Sequence, residues 1–226
     1  MDPVMGELAL LLGLLAVFSA ISYVKNSLTN KGIIISNVLG IVVYRLGGME
    51  SFLVLIVFFI IAESCTRYAR AKTGEVHERR TTSNIFGNAG AAVVALALGA
   101  HLAFFGSIAS ALADTVSSEI GMLSRRKPRL ITTLEEVEHG TDGGVTILGL
   151  FAGALAAGVI GIIYFYINGN ILVLPIMVFA GFAGSLIDSV LGAVFERGGK
   201  MNNMEVNFIA SICGGGIAIL LGAIFL

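Results

Sequence analysis

Charge is scarce in this sequence. Of its 226 residues, 13% are Asp, Glu, Lys or Arg, while 56% are hydrophobic. A soluble domain carries about 25% charged residues, and the mean hydropathy of +0.92 points instead to a membrane chain. Cysteine is nearly absent. Cys65 and Cys213 stand alone in apolar stretches, which excludes a disulfide framework or a Cys-based metal site and leaves two small buried hydrophobes. A basic n-region is missing too: the chain opens with Asp2 and Glu7. No cleavable signal is therefore expected, and the run from Leu8 to Ile21 is assigned to the mature fold. No Ser-His-Asp, His-Glu-x-x-His or Cys/His pattern occurs, and no Walker-type Gly-x-x-x-x-Gly-Lys, so any nucleotide site is not a P-loop. The formal net charge of -1 argues neither for nor against nucleic acid, and no nucleic-acid partner is expected. Glycine is abundant at 29 residues without a Gly-X-Y period; in a membrane chain such residues let helix backbones approach closely.

Crossing the hydrocarbon takes about 20 apolar residues. Eight segments qualify: 5–22, 32–46, 50–66, 84–101, 104–123, 146–167, 171–194 and 206–225. The expected fold is an all-α polytopic transmembrane bundle in a single domain. It has eight spans, or seven if the short 32–46 segment is re-entrant. All of the 14 Lys and Arg residues except Arg45 then fall on one side of the membrane. Positive charge marks the cytoplasmic side. The loops at about 23–31, 67–83, 124–145 and 195–205 are thus expected in the cytoplasm, with both termini outside the cell membrane.

Ionisable groups within spans are expensive and are functional candidates by default. Glu63, Asp114, Glu119 and Asp188, with Asn37, Asn84 and Asn88, form one layer near the cytoplasmic ends of the helices. The densest stretch is Ala113-Asp114-Thr115-Val116-Ser117-Ser118-Glu119-Ile120-Gly121. At helical spacing Asp114 stacks with Ser117 and Ser118, whereas Asp114 and Glu119 lie about 140° apart around the helix. They are not expected to chelate one ion as a close pair; one can hold a metal while the other binds a second metal, a basic side chain or a helix end. A polar seam between helices is the plain alternative.

Beyond this helix lie the basic cluster Arg125-Arg126-Lys127-Pro128-Arg129 and the turn Gly140-Thr141-Asp142-Gly143-Gly144. The cluster suits a polyanion or a lipid headgroup. The turn offers backbone N–H groups before a helix, an arrangement that can bind phosphate. Arg79 and Arg80 lead into a helix that places Asn84 and Asn88 one turn apart. A further helix end carries Gly184, Ser185, Asp188, Ser189 and Gly192. His77, His101 and His139 are read as solvated or incidental. Acids suit Mg2+, which prefers one or two carboxylates with phosphate oxygens and water, and arginines suit phosphate. Chemistry on a phosphorylated lipid with Mg2+ and a nucleotide uses all of these parts.

The segments Arg80 to Asn88, Ala113 to Gly121, Gly140 to Gly144 and Gly184 to Ala193 resemble those of the phytyl-phosphate kinase family. The resemblance runs over most of the chain from about residue 25, with the four motifs in the same order. More distantly, the Asp114-to-Gly121 helix followed by a Thr-Leu-Glu loop is similar to dolichol kinase and to phosphatidate cytidylyltransferase. The resemblance implies transfer of the γ-phosphoryl of CTP to a prenyl monophosphate, giving the diphosphate. The wider group carries a Lys ahead of its loop. Ile131-Thr132-Thr133-Leu134-Glu135-Glu136 has none, so the basic role is expected to fall to Lys127 or Arg129. On this reading Asp114 and Glu119 handle Mg2+ and triphosphate, Asn84 and Asn88 orient phosphate, and Asp188 supports a metal or an acceptor-side water. Arg79, Arg80, Lys127 and Arg129 draw in phosphate, with Ser117, Ser118, Thr141, Asp142, Gly143 and Ser185 as further contacts. The expected partners are the bilayer, the prenyl phosphate and the nucleotide, with a homodimer left open.

Two other readings compete. A lipid-alcohol kinase or cytidylyltransferase would use the same parts on a different acceptor or release pyrophosphate. A secondary transporter would place its binding groups near the midplane, between repeated halves, and neither feature is evident.

Overall fold

The computed structural model describes Pro3–Leu226, so Met1 and Asp2 of the opening stretch lie outside the described residues. Among the described residues there are seven helices. They are α1 (Pro3–Val24), α2 (Asn30–Thr73), α3 (Thr82–Ala97), α4 (His101–Gly121), α5 (Ile147–Asn168), α6 (Val173–Leu191) and α7 (Asn203–Phe225). A π-helical turn, Gly192–Glu196, extends α6. The loop at about 124–145 carries a two-stranded antiparallel ladder. Here β1 (Arg129–Leu130) pairs with β2 (Gly144–Val145), a small departure from an all-α reading.

The two expected segments 32–46 and 50–66 both lie in α2. Gly48 divides them, with φ 74° and ψ -176°, a backbone region open essentially only to glycine. The break is a reversal. A Cβ on Gly40 would sit 3.0 Å from the Phe52 ring, whereas a straight helix would separate these residues by about 18 Å. The two arms of α2 therefore run antiparallel.

Five helices are long and apolar enough to cross a membrane: α1, α2, α5, α6 with its extension, and α7. The sixth and seventh differ for physical reasons. Helix α3 is shorter, at 16 residues. Helix α4 carries Ser107, Ser110, Asp114, Ser117, Ser118 and Glu119, and it can do so because α2, α3, α5, α6 and α7 all pack against it. Large apolar side chains point outward from the surrounding helices, as with Leu12 (55% exposed), Phe151 (64%) and Leu220 (62%). Small residues point inward. A Cβ on Gly153 of α5 would lie 2.7 Å from the Ala113 carbonyl, one on Gly181 of α6 2.9 Å from the Ala109 carbonyl, and one on Gly215 of α7 2.9 Å from the Ala103 carbonyl. Three neighbours thus lie backbone to backbone on α4, the packing expected where lipid supplies no hydrophobic drive between helices.

The loops at the C-terminal end of α4 meet one another. Arg80 N donates to Ser27 O and Thr29 N to Arg80 O, which ties the α1–α2 and α2–α3 connections together. Thr146 caps α5 by accepting from Gly149 N. Asn202 and Glu205 form a capping box on α7.

Candidate functional site

The C-terminal turns of α4 form one wall of a polar cavity of about 240 Å³. Asp114, Ser117, Ser118 and Glu119 line it from α4, Asp188 and Ser189 from α6, and His139 to Thr146 from the loop before α5. Arg70, Glu196 and Asn203 complete the rim. Asp114 and Asp188 are close neighbours on the wall of the same cavity, with Ser185 buried near them. Spacing along α4 separates Asp114 from Glu119. The crossing of α4 and α6 supplies Asp114 with a carboxylate partner 74 positions away in the chain, which sequence spacing alone does not reveal.

Three buried polar atoms at this cavity have no hydrogen-bond partner: Glu119 Oε2, His139 Nδ1 and Asp188 Oδ2. Buried polar atoms are normally satisfied, which makes this cavity a candidate site; Glu63 Oε2, His77 Nδ1 and Arg80 Nε are likewise without partners in the neighbouring cluster. Arg70 lies on the Glu119 side, with Nε 3.9 Å from Glu119 Oε2, and pairs also with Glu75.

The Gly-Thr-Asp-Gly-Gly turn is held against α6. Gly143 has φ +76°, and a Cβ there would lie 2.7 Å from both Ala193 N and Ser189 O. Thr141 Oγ1 donates to Glu138 O, and Gly144 N donates to Thr141 O. The Gly143 carbonyl accepts from Ile131 N. This local bonding fixes Asp142 and Gly143 at the cavity beside the start of α5.

A second polar cluster sits beside the first. Glu63 Oε1 is 2.7 Å from Arg67 Nε and 3.2 Å from His77 Nε2, and Glu63 Oε2 is 3.7 Å from Arg80 Nε. Arg67 also donates to Lys25 O and Ser27 Oγ, and Arg80 donates to Thr66 Oγ1. Burial pushes the Arg80 guanidinium down from its ordinary value, against the opposing pull of Glu63 and Glu119. Arg80, Asn84 and Asn88 line a different cavity of about 80 Å³, whose other walls are apolar side chains of α1, α2 and α3.

The sequence-predicted residues therefore separate into groups. Asp114, Ser117, Ser118, Glu119, Thr141, Asp142, Gly143 and Asp188 share the polar cavity, with Ser185 buried behind them. Arg80, Asn84 and Asn88 face the apolar cavity, and Asn84 Oδ1 is also engaged by Thr81 N at 2.8 Å in the cap of α3. Arg79 pairs with Asn26. Lys127 bonds Glu138, and Arg129 bonds Glu136, both in exposed positions. The Glu138 partner holds the Lys127 ammonium above its ordinary value, and Lys127 holds the Glu138 carboxyl below its own. Neither cation lines the polar cavity.

The sequence reading does not include Arg70, Glu196 or Asn203, and it treats as incidental both His139, which lines the polar cavity, and His77, whose side chain is only 18% exposed and meets Glu63. Nothing in their local sequence distinguishes them from loop residues. The one available signal is that His139 immediately precedes the glycine turn.

Among the described residues, no group of three or more His, Cys, Asp or Glu is gathered as a ready metal site. The donor set nonetheless fits Mg2+, because that ion takes one or two carboxylates and completes its shell with water and substrate phosphate. Neighbouring Asp114 and Asp188, with Asp188 Oδ2 lacking a partner, supply that minimum.

No solved structure matches the chain. An uncharacterized membrane protein of Methanocaldococcus jannaschii is 39% identical over 203 residues, covering 86% of this chain and 85% of its own. Protein PGR of Arabidopsis thaliana is 48% identical over 99 residues, which is 38% of this chain and 34% of that protein. The chloroplastic protein VTE6 of Arabidopsis thaliana is 28% identical over 219 residues, 86% of this chain and 65% of that protein. Residues 13–215, and with them the polar cavity, match one family along nearly their whole length, and the chain belongs to the integral membrane protein family DUF92.

Proposed function

We propose that this protein is a membrane kinase that transfers the γ-phosphoryl of a nucleoside triphosphate, CTP by family resemblance, to a prenyl monophosphate. One observation carries the reading: two carboxylates from different helices, Asp114 and Asp188, share a polar cavity bounded by a glycine turn and a helix start. The chloroplastic relative supports it, in accord with the motif resemblance to the phytyl-phosphate kinases.

The acceptor is already an anion, so a strong general base is not required, and catalysis reduces to positioning and charge neutralisation. The Gly-Thr-Asp-Gly-Gly backbone and the first turn of α5 cradle the triphosphate. Arg70, the cation lining the cavity, neutralises charge on its outer oxygens. Asp114 and Asp188 would hold Mg2+, which would supply charge stabilisation to the transferred group. An oxygen of the prenyl phosphate forms the new P–O bond while the bond to the β-phosphate breaks, and the nucleoside diphosphate leaves.

The same reading assigns eight membrane crossings, counting each arm of α2 and both α3 and α4. It places the polar cavity at the cytoplasmic face of the cell membrane and both termini outside. The acids gather at one end of the bundle rather than near its middle, which favours an enzyme at the membrane surface over a transporter. Purified protein given γ-labelled CTP and prenyl monophosphates should yield labelled prenyl diphosphate and CDP. Pyrophosphate release would instead identify a cytidylyltransferase, and labelling only of prenyl alcohols a lipid-alcohol kinase.

A further inference from the structure

The apolar cavity between α1, α2 and α3 is lined by an arginine, two amides and aromatic rings. Phe52 and Phe59 of α2, Phe18 of α1, and Ile85 and Ala89 of α3 supply apolar walls. Its polar groups include Arg80, Asn84 and Asn88. Arg80 lines the apolar cavity, and its guanidinium also lies beside Thr66 and Glu63, with Nε 3.7 Å from Glu63 Oε2. Its Nε is buried without a hydrogen-bond partner. A cation and amides over an apolar pocket complement an anionic group attached directly to hydrocarbon.

Volume decides how much hydrocarbon enters. A cavity of about 150 Å³ holds a six-carbon ring, so one of about 80 Å³ takes about three carbons, the part of the first prenyl unit next to the phosphate. Resting on the kinase reading, we propose that this cavity seats the phosphate-bearing end of the prenyl acceptor. Its phosphate lies between Arg80 and Asn88, and the remaining tail extends into the bilayer. Recognition then reads the head of the lipid and ignores its length.

The test uses full-length protein in nanodiscs and a prenyl monophosphate carrying a diazirine on its first unit. Without nucleotide, crosslinks should map to 52–59 and 85–89. Excess unlabelled prenyl monophosphate should suppress them, and phosphatidic acid should not. Ala89→Leu, which fills the cavity, should raise KM for prenyl monophosphate at least tenfold and leave KM for the nucleotide unchanged. Arg80→Gln should raise the same KM, and rescue by Arg80→Lys should be partial. kcat/KM should vary less than about threefold among acceptors longer than two units. Crosslinks confined to other helices in a protein that still phosphorylates the lipid would overturn this site and spare the kinase reading. Competition by phosphatidic acid would overturn it as a prenyl seat, and steep dependence on length would overturn the placement of the tail. Correct crosslinks in a protein that phosphorylates no prenyl monophosphate would instead overturn the kinase reading and leave the lipid site standing.

Discussion

Asp114 and Gly143 line the polar cavity and fail in different ways when replaced. Asp114 neighbours Asp188 and Ser185 at the crossing of α4 and α6. Replacing it by Asn keeps shape and removes the charge. We expect Asp114→Asn to lower kcat by at least about 10²–10³-fold, the range seen when a transition-state stabiliser is removed. Its melting profile in detergent should remain close to that of the parent, and near-normal turnover would sink the assignment. Gly143 fails differently. A methyl there would meet Ala193 and Ser189, at a left-handed φ of +76°. Gly143→Ala should cost about 1–3 kcal/mol, read as a lower melting temperature, and should weaken nucleotide binding in the same variant because the turn can no longer lie on α6.

At the scale of elements, the glycine contacts decide how close the helices come to α4. A Cβ on Gly153 would lie 2.7 Å from the Ala113 carbonyl, one turn before Ser117 and beside Asp114. Gly158, on the same helix, would meet only Val178 Cγ2 at 3.6 Å. Gly153→Leu should therefore destabilise by about 1–3 kcal/mol and reduce activity, while Gly158→Leu should do neither to a comparable degree. Thermal melts of the two variants in one detergent make the comparison. Equal effects would mean that the α4–α5 crossing is not as tight as described. The reversal at Gly48 has a similar role for α2, since it returns the second arm to place Glu63, Arg67 and Arg70 at the end where the other loops meet.

For the whole molecule, the distribution of charge gives the test of orientation. Single cysteines introduced at Arg126 and Gly199 should react with an impermeant maleimide only from the cytoplasmic side. One at Leu98, which is 79% exposed in the α3–α4 turn, should react only from outside. The parent for this experiment lacks Cys65 and Cys213. Labelling of Leu98 and Arg126 positions from the same side would refute the proposed crossings of α3 and α4.

Much of this was legible in the sequence, because a membrane limits the choices. Apolar runs must be helices when no water satisfies the backbone, and the segments chosen by hydropathy fall on helices. Basic residues mark the loops, and these loops do converge. Asp114, Ser117, Ser118 and Glu119 stand out as a candidate site because polar residues in an apolar run are costly enough to require a reason. Local sequence could not show the partners. Asp188 meets Asp114 only through the α4–α6 crossing, and Arg70 reaches Glu119 only because α2 reverses at Gly48. The basic cluster at 125–129 looked like the phosphate contact from its charge alone, yet its Lys127 and Arg129 are paired with Glu138 and Glu136 away from the cavity. The sequence by itself determined which segments are apolar helices and which end of them carries the polar residues, since solvation acts on each residue separately. Tertiary structure decided which acids share a cavity and which arginine lines it, since those depend on how closely distant helices approach.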